Sequence, residues 1–103
     1  MPPLRSQYEN DPDMRDLVRE FACGLPGRAA ALEELHATRM HAELQRLAHQ
    51  LKGAGGGYGF PLITELAAAL EATLKQGGEE PLVKERLVRL VEALRSVVAP
   101  EGE

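Results

Sequence analysis

Residues 41–75 read HAELQRLAHQLKGAGGGYGFPLITELAAALEATLK, and the spacing of their apolar side chains decides the fold. Leu44, Leu47, Ala48 and Leu51 recur at three- and four-residue steps, as do Leu62, Leu66, Ala69, Leu70 and Leu74, so the stretch predicts two amphipathic helices. The first runs from about Arg39. Phe60-Pro61 opens the second, and Gly77-Gly78 stops it.

The same period continues outward in both directions. Upstream, DPDMRDLVREFAC (residues 11–23) offers Asp11 as a cap, Pro12 at the first helical position, and Asp13 and Asp16 to favour the helix dipole. Met14, Leu17, Val18 and Phe21 form its apolar stripe. Gly24, Pro26 and Gly27 interrupt the pattern before Ala29, Leu32 and Leu35 carry it on to about Ala37, as one kinked helix or as two. Downstream, a last helix begins around Pro81, carries Leu82, Val83, Leu87, Leu90, Val91, Leu94 and Val98, and ends at Pro100. No strand is expected. The fold class is therefore all-α, an up-and-down four-helix bundle with an additional N-terminal helical segment. Residues 1–10 are expected as a tail, 11–99 as the bundle and 100–103 as a C-terminal tail. Met1 and the flanking tails favour a free-standing chain.

A chain of 103 residues suits one domain, and 44% hydrophobic with 27% charged residues supplies a core and argues against disorder. Aromatic residues make up only 4%, so aliphatic side chains must fill that core, which suits helices. A net charge of -4 with dispersed Lys and Arg excludes a general nucleic-acid surface. No apolar run is long enough to span a membrane, and MPPLRSQYEN lacks the core of a signal peptide, so a cytoplasmic location is expected. The single cysteine, Cys23, has no partner for a disulfide or redox site and is expected as a small buried residue. The apolar stripes do not exceed one core, and a monomer is expected.

At ~100° per residue, Leu44, Leu47, Ala48, Leu51, Gly55 and Tyr58 fall within an arc about 100° wide that defines the buried side. His49 lies roughly 140° from Leu44 on this projection, beside Gln45, Lys52, Gly53 and Gly56, on a polar face that another protein can reach. An imidazole with a pKa of about 6.5 is mostly neutral at pH 7 and needs no activating base to be nucleophilic. Lys52, one turn on, puts a cation where phosphoryl oxygens would carry charge, and Gly53 clears the approach. Gln45, Arg46, Lys52, Gly53 and Gly56 are the expected docking residues. His36 and His41 are expected as solvated surface residues, since neither has a metal-ligand partner at helical spacing and HExxH is absent.

GAGGGYG packs five glycines into residues 53–59, each disfavoured in a helix by about 1 kcal/mol against Ala, which is tolerated where close approach needs bare backbone. The expectation is helix-continuing close packing through Gly57 to Gly59, with a loop as the alternative. A phosphate-binding loop is excluded because Lys52 precedes the glycines and no Lys-Ser or Lys-Thr pair exists; GxGxxG set on Gly53 or Gly55 fails at Tyr58 or Phe60. Ser6 and Ser96 stand in no nucleophile-elbow sequence.

The stretch AHQLKGAGGGYGFPLITELAAALE (residues 48–71) resembles the signature of histidine-containing phosphotransfer (HPt) domains: His-x-Leu-Lys-Gly, a glycine ten residues after the His, and a following helix ending Leu-Glu. The matching positions are His49, Leu51, Lys52, Gly53, Gly59, Leu70 and Glu71. The resemblance implies a four-helix bundle with an extra N-terminal helical piece and a phosphoryl group on Nε2 of His49. It also implies exchange with the aspartate of a response-regulator receiver domain, fed by a sensor or hybrid histidine kinase. No cofactor of its own is implied, and magnesium is expected from the receiver. Within the family, the lysine matching Lys52 balances phosphate charge and the glycine matching Gly53 makes room for the partner. Ala54 departs from the family's frequent Ser, and residues 55–57 are richer in glycine than usual. Gly57-Tyr58-Gly59-Phe60 is similar to the phosphoacceptor domain of chemotaxis kinases, whereas Leu51 leans to the general HPt class. The function expected is a phosphorelay carrier and not an enzyme. The alternatives are a pseudo-HPt adaptor that binds without accepting phosphate, and the phosphoacceptor domain of a chemotaxis-type kinase.

Overall fold

The structure, a computed structural model, describes residues 1–101. Gly102 and Glu103, part of the expected C-terminal tail, lie outside the described residues. Four helices follow in order: α1 (Arg15–Ala37), α2 (His41–Gly57), α3 (Pro61–Lys75) and α4 (Glu80–Ser96). Among the described residues the one β-type contact is an isolated bridge between Leu4 and Val97.

The two N-terminal helical segments prove to be one helix, and no separate additional helix is found among the described residues. Val18, Phe21, Ala22, Leu25, Ala29 and Leu32 form a stripe buried without a break across the Gly-Pro-Gly region. Gly24, Pro26 and Gly27 face solvent, and a Cβ on either glycine would meet nothing within 4 Å. Burial of the stripe thus outweighs poor local propensity. Cys23 falls just off the stripe and is exposed, contrary to the expectation of burial. Leu17 is exposed as well. The helix also begins later than Asp11. Asp11 instead organises the preceding turn, its Oδ1 accepting from the Asp13 N–H at 2.9 Å and its carbonyl from the Met14 and Arg15 N–H groups.

Three helices end by one device. At α2, the Phe60 N–H donates to the Gly55 carbonyl (2.8 Å) and the Gly59 N–H to that of Gly56 (3.1 Å), the paired bonds of a Schellman turn. Gly59 takes φ +86°, which closes the helix there and corrects the expectation that it continues through Gly59. The helix itself reaches Gly57. The same two bonds end α3 around Gly77-Gly78, and α1 around Arg39-Met40, where Arg39 accepts φ 59° without being glycine.

The opening ten residues, expected as a tail, lie against the bundle from Leu4 onward. Leu4 exchanges backbone bonds with Ser96 and Val98, the buried Ser6 donates its Oγ–H to the Tyr58 carbonyl at 2.6 Å, and the Gln7 N–H donates to Gly59. A Cβ at Gly59 would strike Ser6 and the Gln7 backbone, so this glycine is needed for packing as well as for its dihedral. At the other end of the chain, Pro100 is buried, and its carbonyl accepts from Arg19 while that of Glu101 accepts from Arg15 and Arg19.

The core joins α1 through Leu25 and Leu32, α2 through Leu44 and Leu51, α3 through Ile63 and Leu70, and α4 through Leu90 and Leu94, all sealed by Phe60. Between α2 and α3 the approach is tight at Gly55, where a Cβ would sit 2.8 Å from Thr64 Oγ1, 2.9 Å from its backbone nitrogen and 3.0 Å from Ile63. Thr64 Oγ1 accepts from the Gly56 N–H and donates to the Lys52 carbonyl, both at 2.8 Å. This clamp fixes the register of the hairpin that carries the site.

Adding one methyl group at two glycines separates packing from propensity. Gly55→Ala is expected to lower unfolding stability by about 1–3 kcal/mol through overpacking. Gly53→Ala, with nothing within 4 Å of the new Cβ, is expected to raise it by up to about 1 kcal/mol. Urea denaturation of the two variants checks this, and shifts of the same sign would contradict the close-packing account.

Candidate functional site

With Gly56 held opposite Thr64, the antiparallel pairing of α2 and α3 brings His49 opposite Glu71, seven residues from the clamp on each helix and so about two turns away. His49 presents a side chain 62% exposed, whereas that of Glu71 is only 5% exposed. Their Nδ1 and Oε2 atoms lie 2.6 Å apart. Lys52 Nζ stands 2.8 Å from Glu71 Oε1, and Lys75 Nζ, one turn further along α3, 3.5 Å from Oε2. One buried carboxylate thus collects an imidazole and two ammonium groups.

The charge of Glu71 decides which ring nitrogen of the histidine donates to it. The Lys52 ammonium bonded to Glu71 holds its carboxyl down at about 2, with His49 adding to the effect and burial opposing it. Glu71 is therefore ionised at neutral pH and can only accept hydrogen bonds. Nδ1 of His49 is then the nitrogen that carries a proton and donates it, so that in the neutral ring Nε2 keeps its lone pair. The ring is consequently oriented by a carboxylate, a feature absent from the sequence expectation of an imidazole acting without such help.

The expected docking residues share one surface with different roles. Arg46 and Gly53 are exposed, with open space over Gly53, and Gln45 is half-buried. Gly56 is exposed, yet its amide is committed to Thr64. Lys52, with a side chain 37% exposed, is tied to Glu71. His41 is exposed as expected. His36 is not simply solvated: its Nε2 lies 2.5 Å from Glu80 Oε1, joining the end of α1 to the start of α4. Sequence reasoning recorded Glu71 only as a motif position and missed Thr64 and Lys75. The signal for Glu71 was a carboxylate on the inward stripe of α3, four residues after the buried Ala67 and next to the buried Leu70. Among the described residues no group of three or more His, Cys, Asp or Glu side chains could hold a metal ion, and no helix is long and apolar enough to cross a membrane.

The linkage of Glu71 to folding has a definite sign. Its carboxyl takes up a proton near the ordinary 4.5 when unfolded but only at about 2 when folded, so the stabilisation is present above 4.5 and is lost as pH falls towards 2. The stability difference between wild type and Glu71→Gln, read from denaturant unfolding at several pH values, is expected to be largest above pH 5 and to shrink through this window. A difference that stays constant down to pH 2 would contradict the ionised, paired carboxylate.

The family model for the Hpt domain matches residues 16–99, most of the chain. Neither the curated proteins nor the solved structures contain a significant match.

Proposed function

The chain belongs to the Hpt domain family, whose role is phosphotransfer in two-component signalling, and on that premise we propose that it is a relay carrier whose phosphoryl acceptor is His49. The observation that supports this reading is the exposed imidazole whose Nδ1 lies against the buried, ionised Glu71, which leaves Nε2 for a docking partner. Nε2 attacks the phosphorus of an aspartyl phosphate on a receiver domain, or of a nucleotide held by a kinase. The N–P bond forms as the P–O bond to the donor breaks, and the donor oxygen leaves with the electron pair. Nδ1 keeps its proton, and the positive charge that develops on the ring is met by Glu71. Reversal of these steps passes the group to a second receiver.

Transfer of this kind depends on in-line positioning and charge stabilisation more than on acid-base chemistry. This chain supplies an oriented nucleophile, the positive charge of Lys52 beside it, and a face cleared at Gly53 and flanked by Gln45, Arg46 and Gly56. The receiver supplies magnesium and the acidic pocket, and the carrier has no cofactor of its own. On this reading the carrier works in the cytoplasm as a monomer and is not itself an enzyme.

Incubation with a phosphorylated receiver is expected to place an acid-labile, base-stable phosphoryl label on the wild-type chain and none on His49→Gln. Equal labelling of the variant would remove His49 from the acceptor role. Binding of the receiver with no label on either protein would identify an adaptor instead.

A further inference from the structure

Two lysines converge on Glu71, but they are not equivalent. Lys52 is the closer, at 2.8 Å, and the less exposed, at 37% of its side chain. Lys75 is at 3.5 Å and 55% exposed. Because α2 and α3 are antiparallel, a residue one turn beyond His49 on α2 and one turn beyond Glu71 on α3 lie in opposite directions along the bundle. The two ammonium groups therefore bracket the His49–Glu71 pair.

Charge counting gives this bracket a purpose. With His49 neutral, Glu71 and Lys52 cancel, and Lys75 leaves the cluster with one surplus positive charge. The unit that moves between donor and acceptor, PO3 with one negative charge, brings this cluster to neutrality. Without Lys75, the same transfer would leave a net negative charge beside a buried carboxylate. Glu71 must keep one counterion, because an unpaired buried charge is strongly unfavourable. The tighter, less exposed Lys52 meets that need, while the looser contact of Lys75 resembles surface ion pairs that contribute little and part readily.

We infer that Lys75 is the cation that contacts the transferred phosphoryl group directly, turning from Glu71 to its oxygens while Lys52 remains on Glu71. This rests on His49 being the acceptor. Lys52 acts on the phosphoryl group through its field and through Glu71, and Lys75 acts by contact. Arg89, exposed on α4, a helix that does not pack against α2, is the control cation.

Phosphoramidate, a small-molecule phosphoryl donor, allows a test without a protein partner. Wild type, Lys75→Gln, Lys75→Arg and Arg89→Gln are treated with it, and the phosphohistidine resonance is followed by phosphorus NMR across pH. Loss of a contacting cation is expected to raise the proton affinity of the phosphoryl group roughly three- to tenfold in Lys75→Gln. Lys75→Arg should return it towards wild type, and Arg89→Gln should shift it less than twofold. The thermal midpoint of Lys75→Gln is expected to stay within about 2 °C of wild type, as for an exposed pair. A titration in Lys75→Gln indistinguishable from wild type, or an equal shift in Arg89→Gln, would overturn the inference while leaving His49 as acceptor. No phosphohistidine signal in wild type would overturn both.

Discussion

Glu71 has almost no access to water, and it keeps its charge because Lys52 and His49 on α2 converge on it, with Lys75 on α3 in looser contact. A buried carboxylate left without partners costs several kcal/mol, on the order of the whole stability of a small domain. The carboxylate therefore constrains α2 in addition to the apolar core: rotation that withdrew Lys52 or His49 would expose that cost. The interaction that holds the hairpin together is also the one that orients the imidazole, so structure and chemistry depend on the same two oxygens.

That arrangement requires a register, and the register comes from bare backbone. Gly55 admits the Thr64 backbone and side chain at distances a Cβ would not permit, and Thr64 Oγ1 then ties Gly56 to the Lys52 carbonyl. Two turns away the same pairing brings Glu71 under His49. The glycines are thus divided by function. Gly55 allows the helices to approach, Gly59 supplies a left-handed turn beneath the N-terminal segment, and Gly53 is left open one turn from His49.

Periodicity made the bundle legible because aliphatic side chains at three- and four-residue steps have few other ways to be buried. Leu44, Ala48 and Leu51 lie inward as expected, as do Leu87, Leu90 and Leu94. Local signals misled where tertiary burial overrode them. Gly24, Pro26 and Gly27 argued for a break, yet the stripe from Val18 to Leu32 runs through them, and Ser6, in an aperiodic stretch, is buried by contacts with residues more than fifty positions away. At the site, His49 stood out because its exposure and its neighbours on one helix follow from helical geometry alone. Its partner did not, since the meeting of His49 with Glu71 depends on a pairing between helices that no single-helix projection contains. A charged residue on a buried stripe was the available clue.

The central claim is that Glu71 holds the proton of His49 on Nδ1 and so turns Nε2 outward as the nucleophile. Nitrogen-15 chemical shifts of the His49 ring, measured at neutral pH through long-range proton correlations, test it most directly. The account predicts a protonated Nδ1 and an unprotonated Nε2 in the wild-type protein. A ring protonated on Nε2 and bare at Nδ1 would contradict it.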